Sequence, residues 1–189
     1  MKLRDHLLER GLDPDKYSVF MDDENSIATF KIWDLSGRMV GYQQYNPNGT
    51  KSIRNDEKHR DKLKYFTFIG DEGDPGHGKK KLGAWGLESL ESHQRVLFVT
   101  EGVFDAVKIH NAGYPAIAVI SNDPKHLAPF FRALGRTVIA ICDDDAAGKK
   151  LSKHATFSFT VPKPFHDLGD MDQASVDAWL KTIIEHINV

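Results

Sequence analysis

Five carboxylates in three short stretches have the types and spacing for chemistry on phosphates. Glu101 ends an apolar run and precedes Gly102. Asp143 and Asp145 flank Asp144 directly after another apolar run, and Asp167 and Asp170 stand in a polar stretch further on. Crowded carboxylates repel one another, and each gives up hydration to be there. A divalent cation relieves both costs. Oxygen donors without cysteine or paired histidine suit hard ions, so the expected cofactor is Mg²⁺, with Mn²⁺ as its substitute. Mg²⁺ held by few carboxylates keeps waters and open positions for phosphate oxygens, which is the setting for phosphoryl transfer. Each acid taken singly has an ordinary reading as a loop acid or a cap. Asp145, ahead of Ala146-Ala147-Gly148, has the form of a helix N-cap. The functional reading rests on where the acids fall together.

That placement depends on the elements before them. Arg95–Thr100, Pro115–Ile120 and Thr137–Cys142 are continuous apolar runs, as expected of strands covered on both faces, and Thr156–Val161 is a fourth strand. Helical stretches follow at Phe104–Ala112, Pro124–Leu134, Asp145–Ala155 and Ala174–Ile187. The alternation predicts an α/β fold with a mostly parallel sheet flanked by helices. Ligands of such sheets bind beyond the carboxyl ends of the strands. Glu101, Ser121-Asn122-Asp123 and Asp143-Asp144-Asp145 stand there, and Asp167 and Asp170 follow the fourth strand.

The first half reads differently. Residues 3–12 predict a short helix. Ile27–Trp33 alternates, a turn at Asp34–Gly37 leads to a strand from Arg38 to Tyr45, and Tyr65–Ile69 is another short strand. The short connections predict a small antiparallel β lobe. The expected organisation is residues 1–93 as this α+β lobe and 94–189 as the parallel domain.

Three motifs carry a resemblance. TEGVFDA at 100–106, CDDDAAGKK at 142–150 and HDLGDM at 166–171 resemble, in order and in the helices between them, the motifs of the Toprim domain, shared by bacterial-type primases, type IA and II topoisomerases and several nucleases; the late pair Asp167 and Asp170 is spaced more widely than is usual in primases. The resemblance implies Glu101 as metal ligand or general acid/base, Asp143 and Asp145 as metal ligands, and Asp167 and Asp170 as the late acids. It matches Asp105 to the acid four residues after the glutamate in primases. Asp144 stands where many members have glycine, and Ala146-Ala147-Gly148-Lys149 follows the primase form of the motif.

The first half narrows the family. Asp34-Leu35-Ser36-Gly37-Arg38-Met39-Val40-Gly41 is similar to a strand-turn-strand of bacterial and phage DnaG-type primases, and Lys64-Tyr65 with Leu82–Leu87 is similar to their approach to the Toprim glutamate. The resemblance implies a primase-like nucleotidyltransferase core, acting on a single-stranded DNA template with nucleoside triphosphates, in the cytoplasm of a bacterium or phage-infected cell. Lys64 is then the candidate phosphate or template contact. Arg38, Arg54, Arg60 and Lys149 are further nucleic-acid or nucleotide contacts, with Lys58 and Lys62 beside them. Departures from the pattern are Gln43-Gln44 after the glycine and the absence of a Cys-rich zinc module, so a separate helicase or zinc-module protein is the expected partner. Two rivals stay open: a Toprim nuclease cleaving DNA or RNA, and a catalytically silent Toprim binding module of a replication machine. A topoisomerase is disfavoured, because it needs a further tyrosine-bearing domain.

Composition excludes other classes. The 189 residues carry 25 Lys+Arg against 27 Asp+Glu, a formal charge of −2, which argues against coating nucleic acid by bulk charge. The single cysteine, Cys142, allows neither an internal disulfide nor a Cys-rich zinc site and points to a reducing cytosol. No apolar stretch is long enough to span a membrane, and the N-terminus reads as no signal peptide. Gly73–Lys80 nearly spells a phosphate loop, but Lys80 replaces its hydroxyl residue and Gly83 and Gly86 interrupt the stretch where its helix should run, so it reads as a flexible loop.

Overall fold

The computed structural model describes residues 2–51, 57–70, 83–120, 124–145 and 148–187. The chain divides into two compact units, Met1–Trp85 and Gly86–Val189. Composition places the change at 93/94. The units divide earlier because the 3-10 turn Leu87–Glu91 is fastened to the second one: Ser89 Oγ donates to the carbonyls of Gly86 at 2.7 Å and Ala116 at 2.9 Å.

In the first unit, strands β1 (Phe20–Asp22), β2 (Ile27–Trp33), β3 (Met39–Tyr45) and β4 (Tyr65–Ile69) form an antiparallel sheet in the order β1-β2-β3-β4. The period-2 pattern sets its faces. Ala28, Phe30 and Ile32 are buried, whereas Thr29 and Trp33 are half-covered and Lys31 is exposed. Helix α1 (Leu3–Glu9) buries Leu3 and Leu7, and His6 Nε2 meets the hydroxyl of buried Tyr45 at 2.7 Å. Gly41 is required by close approach, since a Cβ there would stand 2.1 Å from the Phe68 carbonyl oxygen.

In the second unit, β5 (Val96–Thr100), β6 (Ala116–Ala118), β7 (Thr137–Cys142) and β8 (Phe157–Thr160) form a parallel sheet ordered β6-β5-β7-β8. All of β5 and β6 is buried, as the unbroken apolar runs require of strands covered on both faces. Helices α2 (Val103–Asn111), α3 (Ala128–Ala133), α4 (Gly148–Leu151) and α5 (Gln173–Ile187) flank the sheet. Leu97, Val99, Ile117, Phe131, Val138, Ala140 and Leu151 share one core with Cys142. A fully buried aliphatic or aromatic side chain contributes about 1.5–3 kcal/mol over an exposed one, so this core holds the strand ends in place. The helix expected to run on to Ala155 gives way earlier: after Leu151, α4 passes into a 3-10 turn at Ser152–His154. The closing helix buries Val176, Leu180 and Ile183, leaving Trp179 and Ile184 half-covered. Among the described residues no helix is long and apolar enough to cross a membrane.

Candidate active site at the carboxyl edge of the parallel sheet

β5 and β7 are hydrogen-bonded neighbours, with Val99 opposite Ala140. Parallel neighbours end on the same side, so the residues that follow them, Glu101 and Asp143, emerge at one edge. Glu101 shows what that position does. Burial first, and then the negative charges of Asp143 and Asp145, push its carboxyl up to about 7. Its Oε1 is buried and has no hydrogen-bond partner. Cys142, on the same strand end, is pushed up to about 11, first by burial and then by Glu101, Asp143 and Asp145. Three acids therefore share one electrostatic site.

Local sequence explains how they are held. The amide of Ile120 donates to the Glu101 carbonyl at 3.1 Å, and that of Val119 to the Thr100 carbonyl at 3.0 Å. Ile120 adopts φ of 50°, a left-handed conformation costly for a β-branched residue, at the strand end beside Glu101. Asp145 Oδ1 accepts from the Gly148 amide at 2.9 Å, so the capping role is present. Gly148 packs against the strand end so tightly that a Cβ there would stand 2.3 Å from the Asp143 carbonyl oxygen. Asp105, in the first turn of α2, folds back: its Oδ2 would lie 2.9 Å from a Cβ on Gly102.

The late acids are employed locally. Asp167 Oδ1 accepts from the Asp170 amide at 3.1 Å, and Asp170 Oδ2 accepts from the His166 amide at 3.1 Å. Their loop is tied to α2. The buried Lys108 donates from Nζ to the Met171 carbonyl at 2.8 Å, and Gln173 Nε2 donates to the Lys108 carbonyl at 2.9 Å. No motif flagged Lys108. A lysine at an otherwise apolar helix position is the signal that would have found it.

Among the described residues no group of three or more His, Cys, Asp or Glu side chains stands ready-made to hold a metal ion. The residues nonetheless fit a hard divalent cation. A buried carboxylate oxygen lacks a partner, the donors are all oxygen, and the local potential is negative enough to raise both Glu101 and Cys142.

The predicted basic contacts are divided between the two units. Lys149 is exposed on α4 in the second unit. Arg38, Lys64 and Arg60 belong to the first unit. Arg38 is largely exposed and pairs with Asp34 at 3.1 Å. Lys64 is half-covered and close enough to His6 for its charge to help lower the imidazole, behind burial and Arg10. The Arg60 guanidinium lies over the rings of Tyr42 and Phe66, at 5.6 and 5.7 Å from their centres, and donates to Gln44 Oε1. Arg54, Asp123 and the Gly73–Lys80 loop lie outside the described residues.

No family model and no curated protein matches the sequence. Solved structures do. The DnaG catalytic core is similar with a TM-score of 0.65 at 18% identity, over 97% of this chain and 72% of that one. The primase fragment of the bacteriophage T7 primase-helicase protein is similar with a TM-score of 0.59 at 15% identity, over 89% and 68%. The DnaG primase catalytic domain bound to single-stranded DNA gives 0.58 at 20% identity; the match covers 97% of this chain and spans 58% of that one, less than two thirds of its length. A four-stranded parallel sheet flanked by helices, together with a four-stranded antiparallel sheet, is the fold these structures share with the chain: it is the fold of the DnaG-type primase catalytic core.

Proposed function

We propose that the chain is a metal-dependent nucleotidyltransferase core of the primase type, extending a primer on a single-stranded DNA template from nucleoside triphosphates. The observation that carries this reading is Glu101: a half-buried carboxyl with an unpartnered oxygen, beside Asp143 and Asp145 at neighbouring strand ends. Support for the template comes from the fold match to a DnaG domain bound to single-stranded DNA, and for a helicase partner from the match to a primase-helicase fragment.

In this reading Glu101, Asp143 and Asp145 hold Mg²⁺ or Mn²⁺, with Asp167 and Asp170 as outer acids. A divalent ion held there would supply charge neutralisation for a bound triphosphate. A primer 3′-oxygen forms a bond to the α-phosphorus, and the α–β bridging bond breaks with pyrophosphate leaving. Glu101, titrating near 7, is suited to take the hydroxyl proton. Asp105 braces the turn after Glu101. Lys149, on the helix Asp145 caps, is a candidate phosphate contact. Lys64, Arg38, Arg54 and Arg60 are assigned to template or nucleotide.

The test is primer extension on single-stranded DNA with nucleoside triphosphates and Mn²⁺. Product is expected from the wild type, with Glu101→Gln and Asp143→Asn each lowering the rate at least 100-fold, the scale of a lost proton-transfer group. Metal-dependent strand cleavage without synthesis would select the nuclease instead. Neither activity, with nucleic-acid binding intact after Asp143→Asn, would select the silent module.

A further inference from the structure

Lys108 is a charged residue in an apolar row. Helix α2 buries Val103, Phe104, Ala106, Val107 and Ile109, and Lys108 among them is only 7% exposed. A buried ammonium gives up hydration that leucine or isoleucine would not have to surrender, so packing alone does not call for lysine at this position. What lysine adds is a directed bond. Its Nζ donates to the Met171 carbonyl at 2.8 Å, and Gln173 Nε2 returns a bond to the Lys108 carbonyl at 2.9 Å. Two bonds of opposite sense therefore join the body of α2 to residues 171–173.

Met171 lies one Cα step, about 3.8 Å, from Asp170. The segment before it is bonded internally: the Asp170 amide donates to Asp167, the His166 amide to Asp170, and the Met171 amide to the Leu168 carbonyl. Leu168 and Met171 are buried, which holds this turn against the core. Burial is non-directional and leaves the turn free to slide or roll. A hydrogen bond prefers near-linear geometry and fixes the backbone at Met171. The closing helix α5 does not need this tie in order to begin. Asp172 accepts from the Ser175 amide at 2.9 Å and from its hydroxyl at 2.7 Å, which caps that helix separately. The bond from Lys108 thus bears on the segment ahead of α5, the one that carries Asp167 and Asp170.

We infer that Lys108 is a positioning residue: acting through the Met171 carbonyl, it sets where Asp167 and Asp170 stand, and so how tightly the chain holds a divalent cation. The inference rests on the metal-dependent reading above and gives Lys108 no contact with ion or substrate. A positioning residue of this kind affects affinity more than stability. Removing it takes away a buried cation as well as a bond, and these two effects on folding oppose each other.

The test uses variants of the full chain, read by Mn²⁺ titration calorimetry and by amide hydrogen exchange without metal. Lys108→Met keeps an unbranched apolar stem and removes the donor. Its melting temperature should stay within about 4 °C of wild type. The amides of His166, Asp170 and Met171 should exchange roughly 10-fold faster, while those of β5 and β7 keep their wild-type rates. Mn²⁺ should bind roughly 10-fold more weakly, as when a group supporting a metal ligand is lost. In Asp167→Asn/Asp170→Asn, where Glu101, Asp143 and Asp145 remain to hold the ion, adding Lys108→Met should weaken Mn²⁺ no further, because groups that act through one another are not additive. Wild-type Mn²⁺ affinity in Lys108→Met overturns the inference alone. So does an equal loss in the Asn/Asn background, since lysine would then act on the fold at large. Wild type that takes up no Mn²⁺ overturns the metal-dependent reading and this inference with it. Should Lys108→Met fold poorly, Gln173→Leu at a half-covered position removes the return bond and decides instead. Faster exchange of the same amides with weaker Mn²⁺ binding supports the inference, and faster exchange with unchanged affinity overturns it.

Discussion

At the scale of single residues, Glu101 is where the electrostatics concentrate. Its carboxyl titrates near 7 in the folded chain, against an ordinary value of 4.5. A raised carboxylate value means that the folded state holds its proton more tightly than the unfolded one between those limits. Its contribution to stability is therefore full below about pH 4.5 and is lost as pH rises towards 7. Melting temperature, measured against pH without divalent cations, should fall across that window more steeply in wild type than in Glu101→Gln, and the two curves should run parallel above it. A flat difference would remove the basis for assigning Glu101 a proton-transfer role. The types and order of Glu101, Asp143 and Asp145 were legible from the sequence because apolar runs mark strand ends. The unpartnered Oε1 was not, since partnership depends on which side chains reach a given point in space.

At the scale of elements, continuous apolar runs were the most readable signal. Val96–Thr100 and Thr137–Cys142 fall within a residue of their expected limits, because only strands covered on both faces tolerate such runs. The helix after β7 was less readable. Its composition extends to Ala155, but among the described residues α4 covers Gly148–Leu151 and the chain tightens into a 3-10 turn after Leu151. Gly148 is the sharpest test of how α4 places Asp145. A Cβ there would meet backbone of Asp143 at 2.3 Å, and backbone cannot rotate away. Gly148→Ala should cost about 1–3 kcal/mol in urea denaturation, as overpacking does, and should weaken Mn²⁺ binding as well. Loss of stability with metal affinity intact would mean that α4 does not set the acid.

At the scale of the whole molecule, the acids carry a cost that a ligand can relieve. Like charges converge at one edge, and the chain is most stable when something positive joins them. Saturating Mn²⁺ should raise the melting temperature at pH 8, with about 2.7 kcal/mol of added stability at one hundred times the dissociation constant. The gain should vanish in Asp143→Asn. An equal gain in that variant would place the ion elsewhere. The fold was legible because two sequence periods, alternating and continuous, belong to two sheets. The boundary between units was not, since it follows Ser89, whose hydroxyl reaches Ala116 from 27 positions away. The tie between Lys108 and Met171 joins positions 63 apart and has a consequence for how this chain can vary. α2 begins just after Glu101 and grips the late loop near its other end, so the helix acts as a gauge bar between Glu101 and that loop. Inserting a residue before Lys108 would swing its amine by about 100° around the bar and unhook the loop. Turns elsewhere can lengthen during descent, but the count of residues from 101 to 108 is locked.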